Sequence, residues 1–240
     1  MAFSKSKSKS KSKTYTKPGT TFSINGWDPE MAALIELPNF FEIPGWRDHD
    51  IPLPPDPDET EMEIRDLLAK QQQIRSDPSM WLVRKAEIEA EANDDAFYMR
   101  RLVSLTPSGS SGATDVLIDA MFHLGFIVVA TYKKKFMRLR PSQIEPKLRP
   151  LLPVPHHPAY PSGHALQYLL IAKALSTVIH NDELGIELFR IARRVAENRE
   201  WAGLHYASDT VGSEHLALAL FPAVTEAYRD TFQNAAREWI

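Results

Sequence analysis

Proline placement constrains this chain more than any other feature of it. Of the 18 prolines in 240 residues, seven fall between Thr20 and Pro57 and seven between Pro141 and Pro161. Each proline disfavours helix at the residue before it and lacks the N–H that a strand ladder needs, so these stretches form neither long helices nor central strands. The remainder carries helical patterning, with no convincing strand alternation and no internal repeat, and the reading is an all-α bundle.

Between and after the two proline-rich stretches the helices can be placed from their ends. Asp58 or Thr60 can cap a helix to about Ile74, with an acidic first turn that suits the macrodipole. Asp77-Pro78 opens a long helix towards Leu105, because aspartate caps and proline fits the first helical position. Thr106–Gly112 reads as a loop, and a third helix covers about Ala113–Leu139, ending before Pro141. A helix over about Gly163–His180 is apolar nearly all round and is expected at the centre. Another spans about Asp182–Glu200, and a last one runs from about Ser208 to the C-terminus, where Pro222 should kink or divide it.

Three regions follow: a disordered Ser/Lys arm over 1–19, a Pro-rich irregular strap over 20–57, and a helical domain over 58–240. The strap is expected to lie on the core, since Phe22, Trp27, Phe40, Phe41 and Trp46 are interspersed among its prolines. Residues 1–17 hold six of the 28 basic residues and none of the 31 acidic ones, so the rest of the chain has a formal charge of −9. The arm has no interleaved aromatics and no amphipathic period; it is a solvated tail or a contact to nucleic acid or an anionic surface. It lacks the apolar stretch of a secretory signal. The most apolar windows, Val116–Ala130 and Leu166–Ile179, are read as too short or too polar to cross a bilayer, so no transmembrane segment and a cytoplasmic location are expected. With no cysteine there is neither a disulfide nor a thiolate metal site.

The chemistry-bearing residues lie in the second half. Lys133 and Arg140 are seven residues apart, close to two helical turns, so both can leave one helix face and converge on an anion. Pro161-Ser162-Gly163-His164 precedes the central helix. There Ser162 can cap, Gly163 lets backbone approach a ligand, and free N–H groups face outward. His205 and Asp209, four apart, can share a helical turn, with the carboxylate taking the Nδ1 proton and leaving Nε2 as nucleophile or ligand. Arg199 supplies a third cation. Each motif alone is equally an ordinary helix end; together, in this order, they describe a pocket for a tetrahedral oxyanion.

This set resembles the superfamily that joins type-2 phosphatidic acid phosphatases, bacterial non-specific acid phosphatases and vanadium-dependent haloperoxidases. Its signature is Lys-x6-Arg-Pro, then Pro-Ser-Gly-His, then Ser-Arg-x5-His-x3-Asp. The match covers Lys133 to Asp209, with Asn198 where serine is usual. The resemblance implies an all-α bundle of the acid phosphatase and haloperoxidase type. It also implies that Lys133, Arg140 and Arg199 bind the oxyanion, and that Ser162 and Gly163 add a hydroxyl and a backbone donor. His205 attacks phosphorus, His164 is the acid–base residue and Asp209 orients His205.

The first functional expectation is a metal-independent phosphatase, a hydrolase of small phosphate monoesters that works through a phosphohistidine and needs no cofactor. The second is a vanadate-dependent haloperoxidase, with vanadate held through His205. His157 belongs to a His157-Pro158-Ala159-Tyr160 stretch that resembles the haloperoxidase motif and is a possible pocket residue. The third is a non-enzymatic oxyanion- or nucleic-acid-binding protein. Neither the alcohol part of an ester nor the oligomeric state can be read from the sequence.

Overall fold

The structure, a computed structural model, describes residues 27–93, 96–104 and 112–240. The chain folds into α1 (Pro29–Ala33), α2 (Leu37–Glu42), α3 (Pro57–Ser76), α4 (Pro78–Asn93), α5 (Phe97–Ser104), α6 (Gly112–Phe136), α7 (Pro141–Ile144), α8 (Gly163–Val178), α9 (Asp182–Trp201), α10 (Ala207–Ala227) and α11 (Arg229–Ala236). Among the described residues there is no strand, so the all-α expectation holds. The Ser/Lys arm and most of the loop expected over Thr106–Gly112 lie outside the described residues.

Apolar character decides which helix is central. α8 buries Leu166, Leu170, Ile171, Leu175 and Val178 along with Tyr168 and several alanines. It packs against α6, α9, α10, α11 and α5, as a helix without a polar face must. Two smaller apolar clusters lie off the main core. Ile64 and Leu67 of α3 pack with Leu148, Ala159 and Tyr206, while Ile74 and Ile88 pack with Trp201, Ala202 and Leu204. Both clusters hold down loops that carry the candidate site.

Several helix boundaries differ from expectation. Asp56, not Asp58 or Thr60, caps α3: its Oδ1 accepts from the Glu59 amide at 2.9 Å, and Pro57 takes the first helical position. Asp77 caps α4 as expected, accepting from Ser79 N at 2.9 Å and Met80 N at 3.0 Å. The long helix expected beyond Pro78 is divided into α4 and α5, with Ala96 at a φ of 61°, a left-handed conformation that no helix continues through. The strap contains two short helices, α1 and α2, and it is anchored by Phe40, Phe41 and Trp46, whose rings meet one another edge-on or tilted. Pro222 does not divide α10. The helix continues to Ala227 and ends at Tyr228; the carbonyl that Pro222 deprives of a donor belongs to Leu218, a solvent-facing position where water can serve it.

The expectation of no spanning segment is corrected. α6 continues unbroken for 25 residues, about 37 Å at the helical rise, against about 30 Å of bilayer hydrocarbon. The stretch Gly112–Ile144 holds an 18-residue window of mean hydropathy 1.7, long and apolar enough to cross a membrane, with 56% of that window buried inside the protein. The reading failed because it stopped the apolar run at Ala130 and weighed Asp119 and His123 against it. Asp119 is ion-paired with Arg100, and His123 lies at the margin beside Glu30 rather than in the core. The cytoplasmic assignment falls with it.

Candidate active site

The five motif elements meet because of how the helices end. α6 stops at Phe136 with Met137 at a φ of 52°, and Arg140 then becomes the N-cap residue of α7, with Pro141 at the first helical position. Lys133 and Arg140 are therefore not on one helix face, which corrects the two-turn argument; a tight turn between two helices, not helical phase, brings them together. α9 ends in a Schellman turn: Gly203 N donates to Glu200 O at 2.8 Å and Leu204 N to Arg199 O at 3.0 Å, with Gly203 at a φ of 73°. That turn sets the distance from Arg199 to His205. A Cβ on Gly203 would also lie 2.9 Å from Gln71 Nε2, so both conformation and space call for glycine. The Ser162 stretch is tied to α10, since Ser162 N donates to Asp209 O at 3.0 Å and Ser213 Oγ to Ser162 O at 2.7 Å.

Lys133, Arg140, His157, Gly163, His164, Arg199 and His205 line one cavity of about 360 Å3. Its remaining wall is mostly apolar, with Phe126, Val129, Met137, Pro155, Pro158 and Leu204, joined by Lys134 and Gln167. Asp209 stands behind His205, fully buried, with its Oδ2 2.8 Å from His205 Nδ1.

The His205 tautomer follows from its two neighbours. Nε2 lies 2.9 Å from Arg140 Nη1, and a guanidinium can only donate, so Nε2 is the unprotonated acceptor. Nδ1 then carries the proton and donates to Asp209 Oδ2. Burial, followed by the charges of Arg140 and Lys133, holds the His205 imidazole well below the usual histidine range, which keeps it neutral and nucleophilic at neutral pH. Burial and the Arg199 charge hold His164 at about 3. Burial raises the Asp209 carboxyl, and Arg138 and the Tyr206 amide pull it back.

The three cations differ in how free they are. Lys133 Nζ donates to the carbonyls of Pro158, Ala159 and Pro161 at 2.7, 2.6 and 2.7 Å, which accounts for all three of its protons. It thereby clamps the turn leading into Ser162. Arg140, 1% exposed, donates to His157 O at 3.1 Å and Leu204 O at 2.8 Å, besides His205 Nε2, and its Nη2 lies 3.1 Å from His157 Nδ1. Arg199 Nη2 is held by Glu91 and by Ile88 O at 3.2 Å. Its Nε, however, is buried without a partner, and so is Ser162 Oγ. Ser162 does not use its hydroxyl to cap α8, contrary to expectation. Each of these two buried groups retains an unused donor proton. Gly163 is not tightly pressed by protein, since a Cβ there would meet only Val129 Cγ1 at 3.7 Å.

Sequence reasoning missed three residues. Arg138 Nη1 donates to Asp209 Oδ1 and Ser208 Oγ, each at 2.7 Å, its Nη2 donates to Glu63 Oε2 at 2.8 Å, and its guanidinium lies 3.7 Å from the centre of the Tyr206 ring. Glu63 completes that pair, and Glu91 holds Arg199. Asn198, read as the departure from the motif, sits in the same buried network. Its amide donates to Glu91 Oε1 at 2.6 Å and Glu87 Oε2 at 3.1 Å, and its carbonyl accepts from Arg84 Nη1 at 2.6 Å.

No protein-family model matches the chain, and no curated protein sequence matches it significantly. Thirteen chains of solved structures are similar to it. One is the crystal structure of a transmembrane PAP2-type phosphatidylglycerolphosphate phosphatase from Bacillus subtilis, 19% identical, covering 82% of this chain and 84% of that one, with a TM-score of 0.39.

Proposed function

We propose that the protein is a phosphatase that hydrolyses phosphate monoesters through a covalent phosphohistidine on His205, with no metal required. The observation that carries the reading is the His205 tautomer: Nδ1–H on Asp209 and Nε2 directed into a cavity shared with His164, Arg140 and Arg199. In the first step Nε2 attacks phosphorus in line, forming the N–P bond as the bond to the ester oxygen breaks, and His164 delivers a proton to the leaving alkoxide. In the second, His164 takes a proton from water, whose oxygen displaces His205 and releases phosphate. A bound phosphate dianion adds negative charge beside both imidazoles and raises them from their ligand-free positions, which gives His164 a proton to donate. Arg199 Nε, Ser162 Oγ and Arg140 are the donors for the equatorial oxygens, with Lys133 adding its charge from behind the turn it clamps, and this concentration of positive charge supports metal independence. The apolar wall of Phe126, Val129, Met137 and Leu204 favours an ester whose alcohol is itself apolar.

The test is hydrolysis of an aryl phosphate by chelator-treated protein, followed by acid-labile, alkali-stable labelling from a radioactive ester. Wild type should turn over and label, and His205→Ala should do neither. Wild-type turnover without a labelled histidine overturns the covalent step, and no turnover overturns the phosphatase.

The position of His157, beside Arg140, favours one second reading. The same donors fit vanadate, with His205 Nε2 as its ligand, and vanadate would then supply peroxide activation for halide oxidation. Halide oxidation by vanadate-loaded protein, in the absence of aryl phosphate hydrolysis, selects this reading over the first.

A further inference from the structure

Glu91 stands far from every motif residue in sequence, 108 positions before Arg199, yet the two form a fully buried ion pair. Glu91 lies in the last turn of α4 and reaches Arg199, at the end of α9, from behind the cavity. We infer that Glu91 is a positioning residue for the proposed reaction, with its carboxylate fixing the rotation of the Arg199 fork.

The geometry of the fork says what that positioning does. Both protons of Arg199 Nη2 are engaged, one on Glu91 and one on Ile88 O, so the fork cannot offer its two terminal nitrogens together to a ligand. That leaves Nε, buried without a partner, and Nη1 as the remaining donors. The Asn198 amide braces the other carboxylate oxygen at 2.6 Å, so neither Glu91 oxygen can swing away without losing a bond. The carboxylate also places a negative charge beside the cavity, which opposes binding of any anion there. Glu91 therefore weakens ground-state anion binding while holding the cation where the transition state needs it.

An ion pair with only a structural role would not separate those two effects. The inference rests on the phosphatase reading of this cavity, and the experiment distinguishes their failures. Inorganic phosphate affinity, measured by calorimetry, and aryl phosphate kinetics are compared for wild type, Glu91→Gln and Glu91→Asp. Glu91→Gln removes the charge, so phosphate should bind about tenfold more tightly while kcat falls about tenfold or more. Glu91→Asp keeps the charge but shortens the reach, so phosphate affinity should stay within about twofold while kcat still falls. Parallel loss of affinity and kcat in Glu91→Gln, or no change in either, overturns the inference. Should Glu91→Gln not fold, the Asp variant decides by the same split. If wild type does not hydrolyse aryl phosphates, the phosphatase reading fails by itself and the affinity comparison still decides for or against Glu91.

A pH series adds a readout that packing damage does not move. Glu91 faces Arg84 and Glu87 on its own helix, Arg194, Asn198 and Arg199 on α9, His164 on α8 and Tyr98 on α5. Burial raises its carboxyl to about 7 against the pull of Arg199. The affinity ratio between Glu91→Gln and wild type should therefore shrink towards one from about pH 8 to about pH 5.5, as wild type takes up its own proton. The titration of phosphate itself cancels in that ratio. A ratio that stays constant across the range overturns the electrostatic half of the inference.

Discussion

Arg140 Nη1 lies 2.9 Å from His205 Nε2, so the nitrogen proposed to attack is covered by one of the cations proposed to bind the substrate. An arriving oxyanion has to draw Nη1 away before Nε2 can reach phosphorus. The other bonds of the fork, to His157 O and Leu204 O, keep the guanidinium in place while that one contact exchanges. Arg140→Lys keeps the charge but cannot hold two main-chain carbonyls and an oxyanion together. It should lower kcat/KM by about 10²-fold to 10³-fold, and the imidazole 15N spectrum should still show the Nδ1–H tautomer of His205, since Asp209 is untouched. A variant with near wild-type kcat/KM would show that Arg140 is only a clamp for its loop.

Asp209 divides its two oxygens between partners: Oδ2 serves His205 and the Tyr206 amide, and Oδ1 serves Arg138. Arg138→Gln leaves a fully buried carboxylate without its cation, which should cost about 3–5 kcal/mol of stability. It should also lower kcat more than it changes KM, because Arg138 is not among the residues lining the cavity. Denaturant unfolding and steady-state kinetics on one preparation check both. A loss seen only in KM would instead put Arg138 in contact with the substrate.

The difference between Arg138 and Arg140 shows what was legible in the sequence. Spacings within one turn or one helix end could be read directly: His205 with Asp209, Ser162 at the start of α8, and α8 itself as the centre. Lys133 and Arg140 were grouped correctly for a wrong reason, because the left-handed residue Met137 that ends α6 has no signature in its side chain. Arg138 belongs to no readable spacing, and nothing local says that its fork turns inward to Asp209. Glu63 and Glu91 reach the site from α3 and α4, and a single sequence carries no record of such pairings. The capacity of α6 to cross a bilayer was misjudged for a related reason: the ion pair that makes Asp119 tolerable is a tertiary contact.

The two buried imidazoles and Glu91 act in opposite senses on stability. His164 and His205 are held below the ordinary histidine value of 6.5, His164 to about 3, so between those values the unfolded chain binds protons that the folded chain does not. Their contribution is present above about pH 6.5 and is lost as pH falls, at up to about 1.4 kcal/mol per pH unit for each. Glu91 is raised from 4.5 to about 7, so its contribution is full below the lower value and is lost as pH rises through the upper one. The ligand-free Tm should fall between about pH 6.5 and about pH 4. His164→Asn should flatten the fall, and Glu91→Gln, which removes the opposing group, should steepen it. Calorimetric scans across this range measure all three, and a His164→Asn profile parallel to wild type would mean that His164 is already charged in the fold.

Gly212 in α10 is a packing requirement transmitted to the site. A Cβ there would stand 2.3 Å from Tyr160 Oη and 2.4 Å from Cζ, well inside contact distance, and the Tyr160 ring has little room to yield. Its hydroxyl is bonded to Pro52 O, and its ring meets Phe136 edge-on with centroids 5.0 Å apart. The next residues are Pro161 and Ser162, so a displaced Tyr160 moves the Ser162 hydroxyl and the start of α8. Gly212→Ala should destabilise the fold by about 1–3 kcal/mol through overpacking, despite the better helix propensity of alanine. Removing the ring removes the obstruction: in Gly212→Ala combined with Tyr160→Ala, the loss of stability should be clearly smaller than the sum of the two single losses. A double variant whose losses simply add would place the cost of the alanine somewhere other than this contact.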